Sequence, residues 1–175
     1  MIDIKINFFG IVASLLLFYI VLSNKPWWIL RGGEGIFYAA VSPFNVKIEI
    51  LGKPVIVPII FYLNLTATLS MLLAASTMLL GSFLAEKEWS RPMIGFKGLM
   101  LPILFLVGLI ISLEFVKNMG IAVPLMGEFI LRYEIPIGRG IITETPSVAM
   151  LTSDYWIALL AGIISVLAWF FQRRS

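Results

Sequence analysis

The chain has 175 residues, 60% of them hydrophobic and only 13% charged, with a mean hydropathy of +1.00 and a formal net charge of +3. Soluble domains are about 25% charged, so there are too few polar side chains here to coat a water-soluble globule, and lipid is the expected solvent. Cysteine and histidine are both absent, which excludes thiolate nucleophiles, Ser-His-Asp relays, histidine-ligated haem, iron–sulfur clusters, ordinary zinc sites and disulfides.

Charge-free stretches mark the membrane spans, because a charge at mid-bilayer costs about 2.5–3.5 kcal/mol on insertion scales. The first stretch, residues 6–24, predicts a helix over about 7–23. It is too long at its outer end for a signal peptide, and Ser23-Asn24-Lys25-Pro26 is a poor cleavage site. Trp27 and Trp28 follow and read as anchors at the outer membrane boundary.

Residues 24–57 read as an ordered outer loop. Asn45 to Leu51 alternates polar and apolar, Gly52-Lys53 follows, and Pro54 to Val57 is apolar again, which predicts a type II′ hairpin. Pro54 suits an edge or strand end. Gly32-Gly33-Glu34-Gly35 lacks the Lys-Ser/Thr ending of a phosphate loop.

The second span is predicted at about 58–84. It carries Thr66, Ser70 and Ala74 at four-residue spacing, then Thr77 and Gly81, a small-residue stripe suited to close helix approach. Asn64 is the candidate polar site within it; it also opens an Asn64-Leu65-Thr66 sequon, whose depth argues against glycosylation. Asn64, Thr66, Ser70, Ser76 and Thr77 are the one cluster from which a polar pathway could be built. Residues 85–97 form a short cytoplasmic loop, Glu86-Lys87-Glu88-Trp89-Ser90-Arg91, with Trp89 as an inner anchor.

The third span is predicted at about 98–116, with Pro102 near its start. Glu114 is the one acid inside a predicted span; it is either an ion or proton site or the i,i+3 partner of Lys117. In the second outer loop, residues 117–153, Glu128 to Ile135 reads as a strand, Gly138-Arg139-Gly140 as a turn and Ile141 to Thr145 as a returning strand. Hairpins from two loops on one side can pair into a single β cap. The alternative dips Ile121–Met126 and Val148–Leu151 into the headgroups. Glu128, Glu134, Glu144 and Asp154 have no spacing that fixes a catalytic carboxylate pair. The fourth span, about 154–171, places Ala158 and Gly162 on a packing face, Trp156 at the outer boundary and Trp169 at the inner one.

Basic residues set the orientation. Lys5, Lys87, Arg91, Lys97, Arg173 and Arg174 crowd the tails and the short middle loop, whereas Lys25, Arg31, Lys47, Lys53, Lys117, Arg132 and Arg139 are spread over two long segments. Positive-inside bias then places both termini in the cytoplasm. The expected fold is a single membrane domain, an all-α bundle of four transmembrane helices under a small antiparallel β cap, in the plasma membrane. The absence of Cys and His and the scarcity of Gln suit a protein from a hot environment.

This layout resembles claudin-like tetraspan proteins, whose first outer loop carries a tryptophan and then G-L-W-x-x-C. Here Trp27-Trp28 precedes Gly35-Ile36-Phe37-Tyr38-Ala39-Ala40: Gly35 matches, Ile36 and Phe37 are conservative stand-ins, and Ala40 replaces the first cysteine, the second being absent too. The resemblance implies a laterally associating scaffold rather than an enzyme, and without cysteines the cap lacks that family's disulfide. The expected partners are the lipid bilayer and a second copy or another membrane protein, with no nucleic acid and no cofactor. Two other functions are compatible with the sequence: a small transporter or channel, and a cofactor-free accessory subunit of a membrane (respiratory) enzyme.

Overall fold

The computed structural model describes residues 6–135 and 141–172. The predicted Gly138–Gly140 turn, Lys5, Arg173 and Arg174 lie outside them, as do the side chains of Glu34 and of residues 133–135 and 141–143.

Helix α1 (Phe8–Ser23) starts where the Asn7 side chain accepts the Gly10 N–H and ends at Asn24 in the left-handed region, a residue type that tolerates positive φ. The next segment folds into β1 (Trp28–Gly32), the single turn α2 (Gly33–Ile36), β2 (Phe37–Val41), β3 (Val46–Ile50) and β4 (Lys53–Pro54). Helix α3 (Pro58–Phe83) begins on a proline at its first turn, where a missing N–H costs nothing. A short helix α4 (Ser90–Ile94) turns at Gly95 into α5 (Lys97–Asn118). Strands β5 (Gly127–Ile135) and β6 (Ile141–Leu151) lead into α6 (Ser153–Phe171).

Among the described residues, three helical segments are long and apolar enough to cross a membrane: Pro58–Phe83, Ser90–Asn118 and Ser153–Phe171. Helix α1 has 16 residues, about 24 Å at 1.5 Å per residue against a core of about 30 Å. It is nonetheless central. It packs along α3 on one side and antiparallel to α6 on the other. Asn7 reaches Ala168 O at one end of that pair, and Thr152 reaches Pro26 O and Trp27 O at the other. Helix α5 packs on α6, and at Gly98 it also approaches Leu17 of α1.

The six strands of the described residues form one antiparallel sheet in the order β4-β3-β2-β1-β6-β5. The two connecting segments therefore join through β1 and β6, with Leu30 opposite Ala149. The sheet sits where α1 and α5 finish and α3 and α6 begin. Strands β1 and β2 were not anticipated from sequence; each is a short apolar run flanking the Gly32–Gly35 turn. The predicted strand over Pro54–Val57 shrinks to Lys53–Pro54.

The expected II′ turn is also corrected. Ile50 pairs with Lys53, so the loop is Leu51-Gly52, and both residues have positive φ (52° and 71°). Positive φ at both central residues is the type I′ pattern, whose twist matches that of the strands. Leucine is strained there.

Helix seams depend on small residues. A Cβ on Gly162 would lie 2.7 Å from Leu99 Cα and 3.0 Å from Gly98 O, so α5 and α6 touch backbone to backbone. Pro102 lies inside α5 and is buried; lacking an N–H, it leaves the Gly98 carbonyl without its helical partner at this contact. A Cβ on Gly10 would collide with Ser82 Oγ, which fixes the approach of α1 to α3.

Candidate functional site

The sheet has two chemically different faces. The register places Trp28, Leu30, Ala39, Ile48, Ala149 and Phe129 on one of them, and this near face packs on Leu109 and Leu113 of α5 and on Val123 and Leu125 beyond it. Trp28 Nε1 donates to Leu125 O at 2.7 Å, fastening the segment after α1 to the segment after α5. Val123–Leu125 and Val148–Leu151 are thus used in the sheet and its underlay.

The far face carries Arg31, Tyr38, Lys47 and Glu49 over β1 to β3. Lys47 Nζ lies 2.9 Å from Glu49 Oε1 and 5.8 Å from the Tyr38 ring. The hydrogen bond to Glu49, reinforced by its charge, holds the Lys47 ammonium above its ordinary pKa. Toward β6 and β5 the same face turns apolar, with Met150, Val148, Pro146 and Ile130. Ile130 is 59% exposed. Arg132 Nε meets Glu144 Oε1 across the strands at 2.8 Å, an exposed pair worth at most about 1 kcal/mol.

Trp27 and Trp28, expected from sequence as boundary anchors, are buried in the fold. Trp27 is fully buried, with edge contacts to Phe44, Phe105 and Tyr155 at centroid distances of 5.7, 5.1 and 6.0 Å. It joins the turn between β2 and β3 to α5 and α6 and is the hinge-pin between sheet and helices. Trp28 is buried as well. Trp28 opens β1 and Trp27 immediately precedes it, and the tertiary fold draws both inward. Trp89 and Trp156 are about half exposed, and Trp169 is partly buried beneath the Arg91 guanidinium at 4.6 Å.

The packing face of α3 also differs from the expected stripe. Met71, Ala75, Met78, Gly81 and Ser82 are buried, whereas Thr66 and Ser70 face outward and Ala74 and Thr77 are partly buried. Of that stripe only Gly81 is buried. On α6, Ala158 and Gly162 are both buried. The hydroxyls of Thr66, Thr68, Ser76 and Thr77 bond to carbonyls of their own helix. Asn64 faces the turn after β2, its amide nitrogen 3.2 Å from Pro43 O and its oxygen 3.3 Å from Val46 N once the amide is oriented to satisfy both. It links α3 to the sheet.

Glu114 is exposed and pairs with Lys117 Nζ at 2.7 Å. The candidate carboxylates are dispersed. Glu128 and Glu144 belong to register pairs four residues apart, about 13 Å along the ladder. Asp154 is 6% exposed in the first turn of α6, where a negative charge complements the helix dipole. Among the described residues there is no group of three or more Asp or Glu side chains placed to hold a metal ion.

Sequence reasoning missed a polar clasp at the opposite end of the bundle. Asn7 Nδ2 donates to Gln172 Oε1 (2.6 Å) and Ala168 O (2.8 Å), and Gln172 Nε2 donates to Ser90 Oγ (2.7 Å) and Ala85 O (3.0 Å). Both amides are buried. The clasp ties α1, α6 and the α3–α4 connection together. Its one sequence signal was the position of two amides at the ends of apolar segments.

No family model, curated protein or solved structure matches the chain at significant similarity.

Proposed function

We propose that this chain is a non-catalytic membrane scaffold or assembly subunit, a four-span bundle of claudin-like layout with both termini in the cytoplasm and the sheet as its outer cap. The observation that carries the reading is the joining of β1 and β6: two segments far apart in sequence build one platform. A chain that orders so much backbone outside its helices has a surface to present. The antiparallel run of α1 along α6, from Asn7 to Pro26, supports α1 as the fourth span despite its length. The α3 hydroxyls, closed on their own helix, weigh against a polar conduit. Crosslinking in native membranes, followed by solubilisation in mild detergent, recovers a stable homo-oligomer or a defined membrane partner on this reading. Recovery of an uncrosslinked monomer alone contradicts it.

A further inference from the structure

The sheet has two edges of unlike character. One is β4, two residues long and ending in Pro54, the kind of blunting that prevents strand addition. The other is β5, nine residues long, bonded among the described residues to β6 on one side only. Strand β6 continues past the end of β1, and there it carries Pro146.

The direction of the backbone groups on β5 follows from one hydrogen bond. Thr152 N–H donates to Trp27 O at 2.9 Å. Backbone groups alternate sides along a strand, so Met150, Val148 and Pro146 direct theirs to the β1 side, and Ala149, Ser147 and Thr145 direct theirs to β5. The residues opposite these last three are Gly127, Phe129 and Leu131. The backbone groups of Glu128, Ile130 and Arg132 therefore point out from the free edge. Pro146, with no N–H, stands where β6 itself would otherwise offer a donor to an incoming strand.

The free edge is self-complementary. Antiparallel pairing of two β5 strands about Ile130 sets Ile130 against Ile130, Glu128 against Arg132 and Arg132 against Glu128, with up to about six backbone hydrogen bonds. All three side chains are on the far face and exposed. Opposite charges directly across a ladder attract, and like charges repel. Edges that resist pairing place charges and prolines in the way; here the charges flank an exposed isoleucine with opposite signs, and the neighbouring far-face surface is apolar through Met150, Val148 and Pro146. Arg132 keeps guanidinium nitrogens beyond the Nε that meets Glu144, so it can serve both carboxylates.

We infer that the free edge of β5 is the docking site for a second copy of this chain, paired antiparallel about Ile130 into one continuous sheet. The inference rests on the scaffold reading and names its partner.

The chain has no cysteine, so Ile130→Cys introduces a single thiol. A hydrogen-bonded antiparallel pair brings Cα atoms to about 5.5 Å, within disulfide reach. Full-length Ile130→Cys in native membranes forms a disulfide dimer on mild oxidation, and Ile29→Cys, two strands in from the edge on the same face, does not. Glu128→Arg or Arg132→Glu added to Ile130→Cys lowers dimer yield roughly tenfold by placing like charges opposite. The double reversal restores it. Coexpressing the Glu128→Arg and Arg132→Glu chains with distinguishable tags gives heterodimers in preference to either homodimer. Glu128, Ile130 and Arg132 are exposed and Ile29 is partly buried; an unchanged melting profile shows that each variant is folded. Equal crosslinking at Ile29 and Ile130, or charge reversals without effect in folded protein, overturns the inference. If crosslinking elsewhere on the chain recovers an oligomer or another protein while Ile130→Cys stays monomeric, the scaffold reading stands and the β5 edge does not.

Discussion

Alanine substituted for Gly162 and for Gly108 should move stability in opposite directions. A Cβ at Gly162 would lie 2.7 Å from Leu99 Cα and 3.0 Å from both Gly98 O and Leu99 Cδ1. Carbon atoms rest at about 3.5–4.0 Å, and backbone cannot rotate aside as a side chain can. Helices α5 and α6 must therefore part by about 1 Å. Overpacking of this kind costs about 1–3 kcal/mol, offset by about 1 kcal/mol of helix propensity, leaving a loss of up to about 2 kcal/mol. Gly108 in α5 has nothing within 4 Å of its Cβ position, so alanine there keeps the propensity gain of up to about 1 kcal/mol. Thermal unfolding in mild detergent, followed by tryptophan fluorescence, should separate the two variants by about 2 kcal/mol, or about 4–8 °C for a chain of this size, with Gly162→Ala the lower. Equal midpoints, or a stabilised Gly162→Ala, would refute the close α5–α6 seam.

Trp27→Ala should cost about 3–5 kcal/mol, because a fully buried indole leaves a cavity between sheet and helices; half-exposed Trp156→Ala should change the midpoint far less, and similar losses at both would contradict the assignment of Trp27 to the core. Gln172→Ala should cost about 1–3 kcal/mol by opening the clasp with Asn7 and Ser90, and a double-mutant cycle with Asn7→Ala should show coupling; additive losses would mean the two amides act separately. Leu51→Asn should raise the melting midpoint, since asparagine accepts the left-handed turn position that costs leucine about 1–2 kcal/mol; a lower midpoint would contradict the I′ turn.

Segments governed by solvent preference were legible in the sequence. Helices α3, α5 and α6 follow from charge-free stretches bounded by charges, and the β5–β6 hairpin from a β-branched and aromatic run. Features set by tertiary contact were not. The α3 stripe of Thr66, Ser70 and Ala74 had suitable small residues, but the shape of α1 selects the neighbouring face of Met71, Ala75 and Met78, where flexible methionine fills the seam. Trp27 and Trp28 have the composition of an interfacial belt, and only tertiary contacts bury them, Trp28 by pairing across to β6 and Trp27 against Phe44, Phe105 and Tyr155. Strands β1 and β2, five residues each, are too short for periodicity to reveal. The self-complementarity of β5 is written in Glu128, Ile130 and Arg132, but it acquires meaning only once the sheet order leaves that strand at the edge.

The crossing number is best tested by labelling single cysteines with a membrane-impermeant maleimide in sealed, right-side-out membranes. Glu49→Cys and Glu144→Cys should react in intact membranes, whereas Ile6→Cys and Glu88→Cys should react only after permeabilisation. Reaction of Ile6→Cys together with Glu49→Cys from outside would show that α1 does not cross, and protection of only one of Glu49→Cys and Glu144→Cys would separate the two segments that the sheet requires on one side.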